Sequence, residues 1–542
     1  MGDQIQDPIK HVVVLMLENH SFDQMLGCMK QVYPHLEGVD AANPKSNQDD
    51  DGKIYTQIET TERQMFLDPH HEVEHVAVQL EGGNGGFVKD YSRSYSTSTP
   101  LARQFIMSHY PLDFLPALHR LAREFTICDH WFSSLPGPTW PNRFFALTGT
   151  SNGRVAMPGD GEHTVDAAGW FEQDQTTIFD RITEKGIHWK VYFHDIPQTS
   201  VLLHQRLPHN AARYFYINQF YADARGAKED FPLFSFIEPD FMGADENDDH
   251  PPHDIMKAQK LIADVYNAIR ANETLWQSTL LIVFYDEHGG FYDHVVPPAA
   301  VPPDDHHEEY SFKQLGIRVP ALLVSPWIDQ RVEQTQFDHT SVLKYLTDKW
   351  SLGPLGKRTA AATSIGMALT RTTPRTDTIA RIELTADQLT PPDAELEEKA
   401  EGMVTAHHTA LQTIIDYVRI DVVEALPKWY SWIARLIEAF KRACNGVLRP
   451  LYREPSDISA SMTQPDRLSR EQTPLRDDFA EFLRHQKLQA VSALALRIRD
   501  RSLSPEVREH AVQSLAGITG RRFLHEPDMI NHANKWLMQH GK

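Results

Sequence analysis

IKHVVVLML, residues 9–17, is a short, β-branched and nearly unbroken apolar run that stops abruptly at Glu18-Asn19. A strand with one wet face alternates apolar and polar residues, whereas a run without alternation is covered on both faces, as in a parallel sheet between helices. The same form recurs in LLIVFY (residues 280–285), which stops at Asp286-Glu287, and in VPALLV (residues 319–324), which stops at Ser325-Pro326. Residues 189–193 and 234–237 read as further buried strands, the latter ending in Glu238-Pro239. Helical patterns separate these runs, for example residues 255–271 directly before LLIVFY. Strand and helix in alternation predict an α/β domain with a mostly parallel central sheet. In such sheets ligands bind beyond the carboxyl ends of the strands. Here those ends carry Glu18, Asn19, Glu238, Asp286 and Glu287.

The chain of 542 residues exceeds what one hydrophobic core usually organises, so a large domain and a smaller one are expected. Residues 1–372 form the expected catalytic domain and residues 373–393, polar and rich in Pro and Thr, an expected linker. Residues 394–542 read as a helical C-terminal domain. A formal net charge of −21 argues against a nucleic-acid partner, whose footprint is basic. The three cysteines, Cys28, Cys128 and Cys444, are too few and too scattered for a disulfide framework or a thiolate metal site. No signal peptide precedes the first strand and no window of eighteen apolar residues occurs. The expectation is a cytoplasmic protein, or one exported by a route the sequence does not display.

Four clusters carry chemistry. Glu18-Asn19-His20-Ser21-Phe22-Asp23 follows a buried strand with oxygen donors suited to a hard divalent cation, though Asn, Ser and Asp also favour turns and caps. In Asp286-Glu287-His288-Gly289-Gly290, adjacent acids can reach one cation, and without it two buried carboxylates would repel. Residues 128–150, CDHWFSSLPGPTWPNRFFALTGT, hold Thr139 between prolines at the start of a helix-like run, where N–H groups support an anion; by itself this could equally be a structural loop. Dispersed histidines sit beside turn residues in Asp68-Pro69-His70-His71, His250-Pro251-Pro252-His253-Asp254 and Asp338-His339. Histidine suits both proton transfer and binding of phosphoryl oxygens.

Six blocks in order, VVVLMLENHSFDQMLG, DPHHEVEH with GGFV, CDHWFSSLPGPTWPNR, FIEPDF with NDDHPPHD, YDEHGGFYDHVVPP and GIRVPALLVSPWI, span roughly residues 9–350. On these the chain resembles the bacterial phospholipase C and acid phosphatase family, which includes the plant non-specific phospholipases C. The resemblance implies an alkaline-phosphatase-like α/β sandwich and a metal-assisted covalent mechanism. It places Glu18, Asn19, Asp286 and Glu287, together with Thr139, around a divalent cation (calcium, zinc or manganese), and makes Thr139 the nucleophile. It sets His71, His250 and Asp129 around the phosphate, with His339, Asn142 and Trp140 as candidate substrate contacts. Two positions depart from the pattern: His20 stands where many relatives have Arg, and Glu287 where acid phosphatase members have Asp.

The implied reaction is hydrolysis of a glycerophospholipid of the phosphatidylcholine kind through a phospho-threonine, releasing diacylglycerol and a phosphorylated head group. The same resemblance leaves open an acid phosphatase acting on phosphomonoesters. A reading of another class is a non-catalytic membrane-binding or toxin module. One stretch bears on lipid. Residues 428–453 carry six basic side chains against Glu438 alone, and Trp429, Trp432, Leu436 and Phe440 share a helical face there. Such a face suits either a peripheral membrane surface or packing on the catalytic domain.

Overall fold

The computed structural model describes residues 7–158, 174–206, 208–241, 246–306, 310–391, 405, 407–410 and 413. Its centre is an eight-stranded sheet, numbered in chain order β1 (His11–Leu17), β2 (Thr126–Cys128), β3 (Trp189–Phe193), β4 (Tyr214–Tyr216), β5 (Phe234–Ile237), β6 (Thr279–Tyr285), β7 (Ala321–Val324) and β8 (Arg331–Glu333). The spatial order is β8-β2-β7-β6-β1-β5-β3-β4. Every residue of β1 and of β6 is buried, which is why neither run alternates.

Strand β1 lies between β5 and β6 and is parallel to both. Its register against β6 runs from His11 opposite Thr279 to Leu17 opposite Tyr285. The next residues, Glu18 and Asp286, therefore leave the sheet side by side, and Asp286 N donates to Leu17 O at 3.0 Å. The expected α/β architecture with a mostly parallel sheet is what the chain adopts. One strand corrects the reading: β7 is antiparallel to both β6 and β2. A continuous apolar run reports burial on both faces and carries no information about direction.

Two helices matter for the site, α1 (Thr139–Thr148) and α2 (Ile255–Arg270). The Asp254 side chain caps α2 by accepting from Met256 N at 3.0 Å. Cys28 and Cys128 are buried and unpaired. No helix among the described residues is long and apolar enough to cross a membrane.

The stretch expected to be a linker is docked. Asn267 on α2 exchanges two hydrogen bonds of 2.8 Å with the backbone of Ile382, and Tyr266 Oη donates to Ile379 O at 2.6 Å. Polar composition concealed this, because isoleucines two or three apart suffice to anchor an extended segment. The proposed membrane-facing residues Trp429, Trp432, Leu436 and Phe440 lie outside the described residues, as does most of 394–542.

Candidate active site

The paired ends of β1 and β6 bring three carboxylates together, those of Glu18, Asp286 and Glu287, all fully buried. Asn19 joins them in a left-handed backbone conformation (φ 60°). Its N–H donates to Asp286 Oδ1 at 3.0 Å, and Glu287 N donates to the same oxygen at 2.6 Å. Glu287 Oε2 in turn accepts from Gly289 N at 2.7 Å. These bonds fix each carboxylate by one oxygen. The other oxygens, Asp286 Oδ2, Glu287 Oε1 and Glu18 Oε2, have no hydrogen-bond partner among the described residues.

Two of the three buried acids converge on one guanidinium, that of Arg143 on α1, whose Nε is 3.3 Å from Glu18 Oε1 and 3.8 Å from Asp286 Oδ2. Burial and the neighbouring Glu18 raise the Asp286 carboxyl well above its ordinary range, against the pull of Arg143. Glu18 moves the other way, to about 2, because His407 and Arg143 outweigh its burial. Open carboxylate oxygens, an amide and a hydroxyl fit a hard divalent cation. Two tighter groups of acids and histidines lie elsewhere. Asp23, Asp293 and His294 are matched by Arg318, and His70, Glu72 and His75 form a half-exposed rim.

Thr139 is the first residue of α1 and is 1% exposed. Its hydroxyl donates to Asn19 Oδ1 at 3.4 Å, which puts it at the carboxylate cluster. On the other side of Asn19, its Nδ2 lies 3.3 Å from His71 Nε2. His71 Nε2 is also 3.7 Å from Glu287 Oε1. Burial disfavours the charged form of His71, yet Glu287, Asp68 and Glu72 raise it to about 10. His250 packs its ring edge-on against His71 at 6.2 Å, and burial, helped by that neighbour, lowers it to about 3. His250 Nε2 is 3.6 Å from Asp68 Oδ2. Beside this pair opens a cavity of about 360 Å3 lined by Asp68, His71, Glu72, Tyr95, Pro251 and Thr405 among others.

The structure thus gathers Glu18, Asn19, Thr139, Asp286, Glu287, His71 and His250 in one place. Four expected substrate contacts are engaged by other protein groups. Asp129 accepts from Glu37 N at 2.9 Å and its carbonyl accepts from Arg318 at 2.7 Å, at the far side of β2. Asn142 spends its amide on the loop before Thr139, bonding Leu135, Gly137 and Pro138, and so holds the loop rather than a ligand. His339 Nε2 reaches Asp286 O at 2.6 Å while Nδ1 accepts from Trp131 Nε1 at 3.2 Å, which fastens the end of β6. Trp140 is buried, its ring edge-on to His407. His20 is fixed between the Gln24 amide and Asp249 O, stacked on Phe291, and takes no place in the carboxylate cluster. Glu238 is held by the N–H and hydroxyl of Thr199.

Two members escaped the sequence reading. Arg143 stands in the quoted block PNR, and the signal for it was the need to balance three acids. His407 comes from the region read as a separate domain, and nothing local marks it.

Gly289 shows how tight the assembly is. Its φ is +60°, and a Cβ there would lie 2.1 Å from Asn19 O. Gly289→Ala is expected to cost about 2–4 kcal/mol, combining left-handed strain with overpacking, and to displace Asn19 and Glu287. Chemical denaturation and activity should fall together; loss of neither would contradict the crowding.

This arrangement, a buried hydroxyl beside open carboxylate oxygens and two histidines, fits a phosphoric ester hydrolase, the class to which the family and relatives assign the chain. The sequence model of the Phosphoesterase family matches residues 9–353, and the chain belongs to that family. Non-specific phospholipase C3 of Arabidopsis thaliana is 33% identical over 415 residues, covering 69% of this chain and 76% of the relative. Non-specific phospholipase C6 of the same plant is 35% identical over 405 residues, covering 69% and 75%. Among solved structures, a protein of the alkaline phosphatase superfamily from Vibrio parahaemolyticus is 14% identical with a TM-score of 0.26, covering 45% of this chain and 61% of that one. Family membership sets aside the reading as a non-catalytic module.

Proposed function

We propose that this protein is a phospholipase C that cleaves glycerophospholipids of the phosphatidylcholine kind. The observation that carries the reading is the Thr139 hydroxyl, bonded to Asn19 at the edge of three open carboxylate oxygens, with a head-group-sized cavity opening beside His71, the next neighbour of Asn19. Glu18, Asn19, Asp286, Glu287 and Thr139 would hold a divalent cation, calcium, zinc or manganese, which supplies Lewis-acid stabilisation of charge when bound.

In the first step Thr139 Oγ gives its proton to the His71–His250 pair and forms a bond to phosphorus while the bond from phosphorus to the glycerol oxygen breaks. Diacylglycerol leaves as its alkoxide takes a proton from the His71–His250 pair. In the second step water attacks the phospho-threonine, the Oγ–phosphorus bond breaks, and Thr139 recovers its proton as the phosphorylated head group departs. Arg143 stays on Glu18 and Asp286 throughout, limiting their mutual repulsion.

The cavity supports a diester with a cationic head group over a bare phosphate. Glu72 supplies negative charge, Asp68, raised by burial to about 7, adds its own as it ionises, and Tyr95 offers a ring face, the chemistry that receives a quaternary ammonium. Vesicles of phosphatidylcholine should yield diacylglycerol and phosphocholine. Release of free choline, or faster turnover of a phosphomonoester, would overturn the assignment. Asp68→Asn is expected to lower the preference for choline over glycerol head groups about ten-fold, whatever happens to the common rate. An unchanged ratio in competition assays would remove Asp68 from head-group recognition.

A further inference from the structure

His407 lies beyond residues 9–353, the stretch matched by the family model, yet its ring is inside the catalytic centre and 1% exposed. Its Nδ1 is 3.1 Å from Glu18 Oε1. The Nε of Arg143 donates to that same oxygen at 3.3 Å. Two nitrogens therefore converge on Oε1, Arg143 by a hydrogen bond and His407 by a charge contact, while Glu18 Oε2 and both His407 ring nitrogens have no hydrogen-bond partner among the described residues.

Phe241, which follows β5, is the platform for both. The His407 ring stacks on it at 4.2 Å with planes 12° apart, and the Arg143 guanidinium lies 5.0 Å from the same ring centre. The neighbouring histidine locks the platform: His408 Nε2 lies 2.6 Å from Phe241 O and 3.4 Å from Glu246 Oε1. Trp140, next to the nucleophile, closes the far edge of His407 at 5.9 Å. A buried polar ring stacked on one aromatic, edged by a second and aimed at one carboxylate oxygen is held too closely for chance packing.

We infer that His407 is a positioning residue for Glu18, holding Oε1 so that Oε2 is presented to the cation, and that this residue from outside the family-matched stretch completes the catalytic centre. A carboxylate donor that must be aimed loses affinity when the polar group that supports it is removed, typically about 10- to 100-fold. The inference rests on the reading of Glu18 as a cation ligand.

Two substitutions separate aiming from packing. His407→Phe keeps a ring to stack on Phe241 and removes the N–H. His407→Asn places an amide N–H near the Nδ1 position and removes the ring. Manganese binding to the full-length protein, measured by calorimetry alongside thermal unfolding without metal, should weaken about 10- to 100-fold in His407→Phe with little loss of stability. In His407→Asn affinity should return to within a few-fold of the unaltered protein, even where stability falls. Unchanged affinity in His407→Phe, or loss in both variants that follows stability alone, would overturn the positioning role. No manganese uptake by the unaltered protein would overturn the cation site itself, and with it the role given to His407; that outcome is distinct from uptake insensitive to His407.

Discussion

Replacing Thr139 with alanine is expected to lower phosphodiester turnover by about 10^4-fold or more while leaving the fold intact, because no other hydroxyl takes its place in the proposed covalent step. The structural loss is small. Thr139 makes one long hydrogen bond, 3.4 Å to Asn19, and its backbone stays anchored at the start of α1. The melting temperature should shift by no more than a few degrees. Thr139→Ser retains the hydroxyl and should keep activity within about ten-fold, on the same scale of transition-state loss. Single-turnover quenching of the unaltered protein should trap phosphate on Thr139, and the alanine variant should trap none. Turnover surviving in Thr139→Ala would transfer the attack to water and end the covalent scheme.

The second large effect is on stability. Arg318 is fully buried and donates to Asp23 Oδ1 at 3.1 Å, to Asp293 Oδ1 at 2.9 Å and to the carbonyls of Glu37 and Asp129. These bonds tie the segment before β7 to the loops after β1, β2 and β6. Arg318→Met keeps the volume and removes the charge, leaving Asp23 and Asp293 with His294 as their one cationic neighbour among the described residues. Breaking a buried pair from one side costs about 3–5 kcal/mol, since the remaining charges have no compensation. The double change Arg318→Met with Asp293→Asn should recover part of that loss. Denaturant midpoints measure both. A loss under about 1 kcal/mol in the single variant would show that the carboxylates find water or protons at little cost.

The sheet was legible because β1, β5 and β6 are buried on both faces, and burial is written directly into composition. The acids at their ends were legible for the same reason, since charge at the end of an apolar run is conspicuous. Direction was not: VPALLV reads the same whether parallel or antiparallel. Asn142 and His339 show the other limit. Asn142 stands in the block that holds Thr139, and His339 beside an acid, yet the amide serves loop backbone and the imidazole the Asp286 carbonyl and Trp131, and only coordinates show which way each turns. His407 illustrates the opposite failure. It is remote in sequence, and its place is set by its contacts with Glu18 and Phe241, tertiary events without local pattern.

The central place of β1 has a consequence for how the chain is made. Val12 pairs with Phe234 on one side and with Leu280 on the other, so both partners are synthesised more than two hundred residues later. At about 5–20 residues per second, the apolar run from Val12 to Leu17 waits tens of seconds on the ribosome with both edges bare. Contacts this distant in sequence slow folding, and an unpaired apolar strand is a template for association with other nascent chains. Slower translation would lengthen that exposure, so yield during expression should depend on temperature, elongation rate and available chaperones more than on the stability of the finished fold.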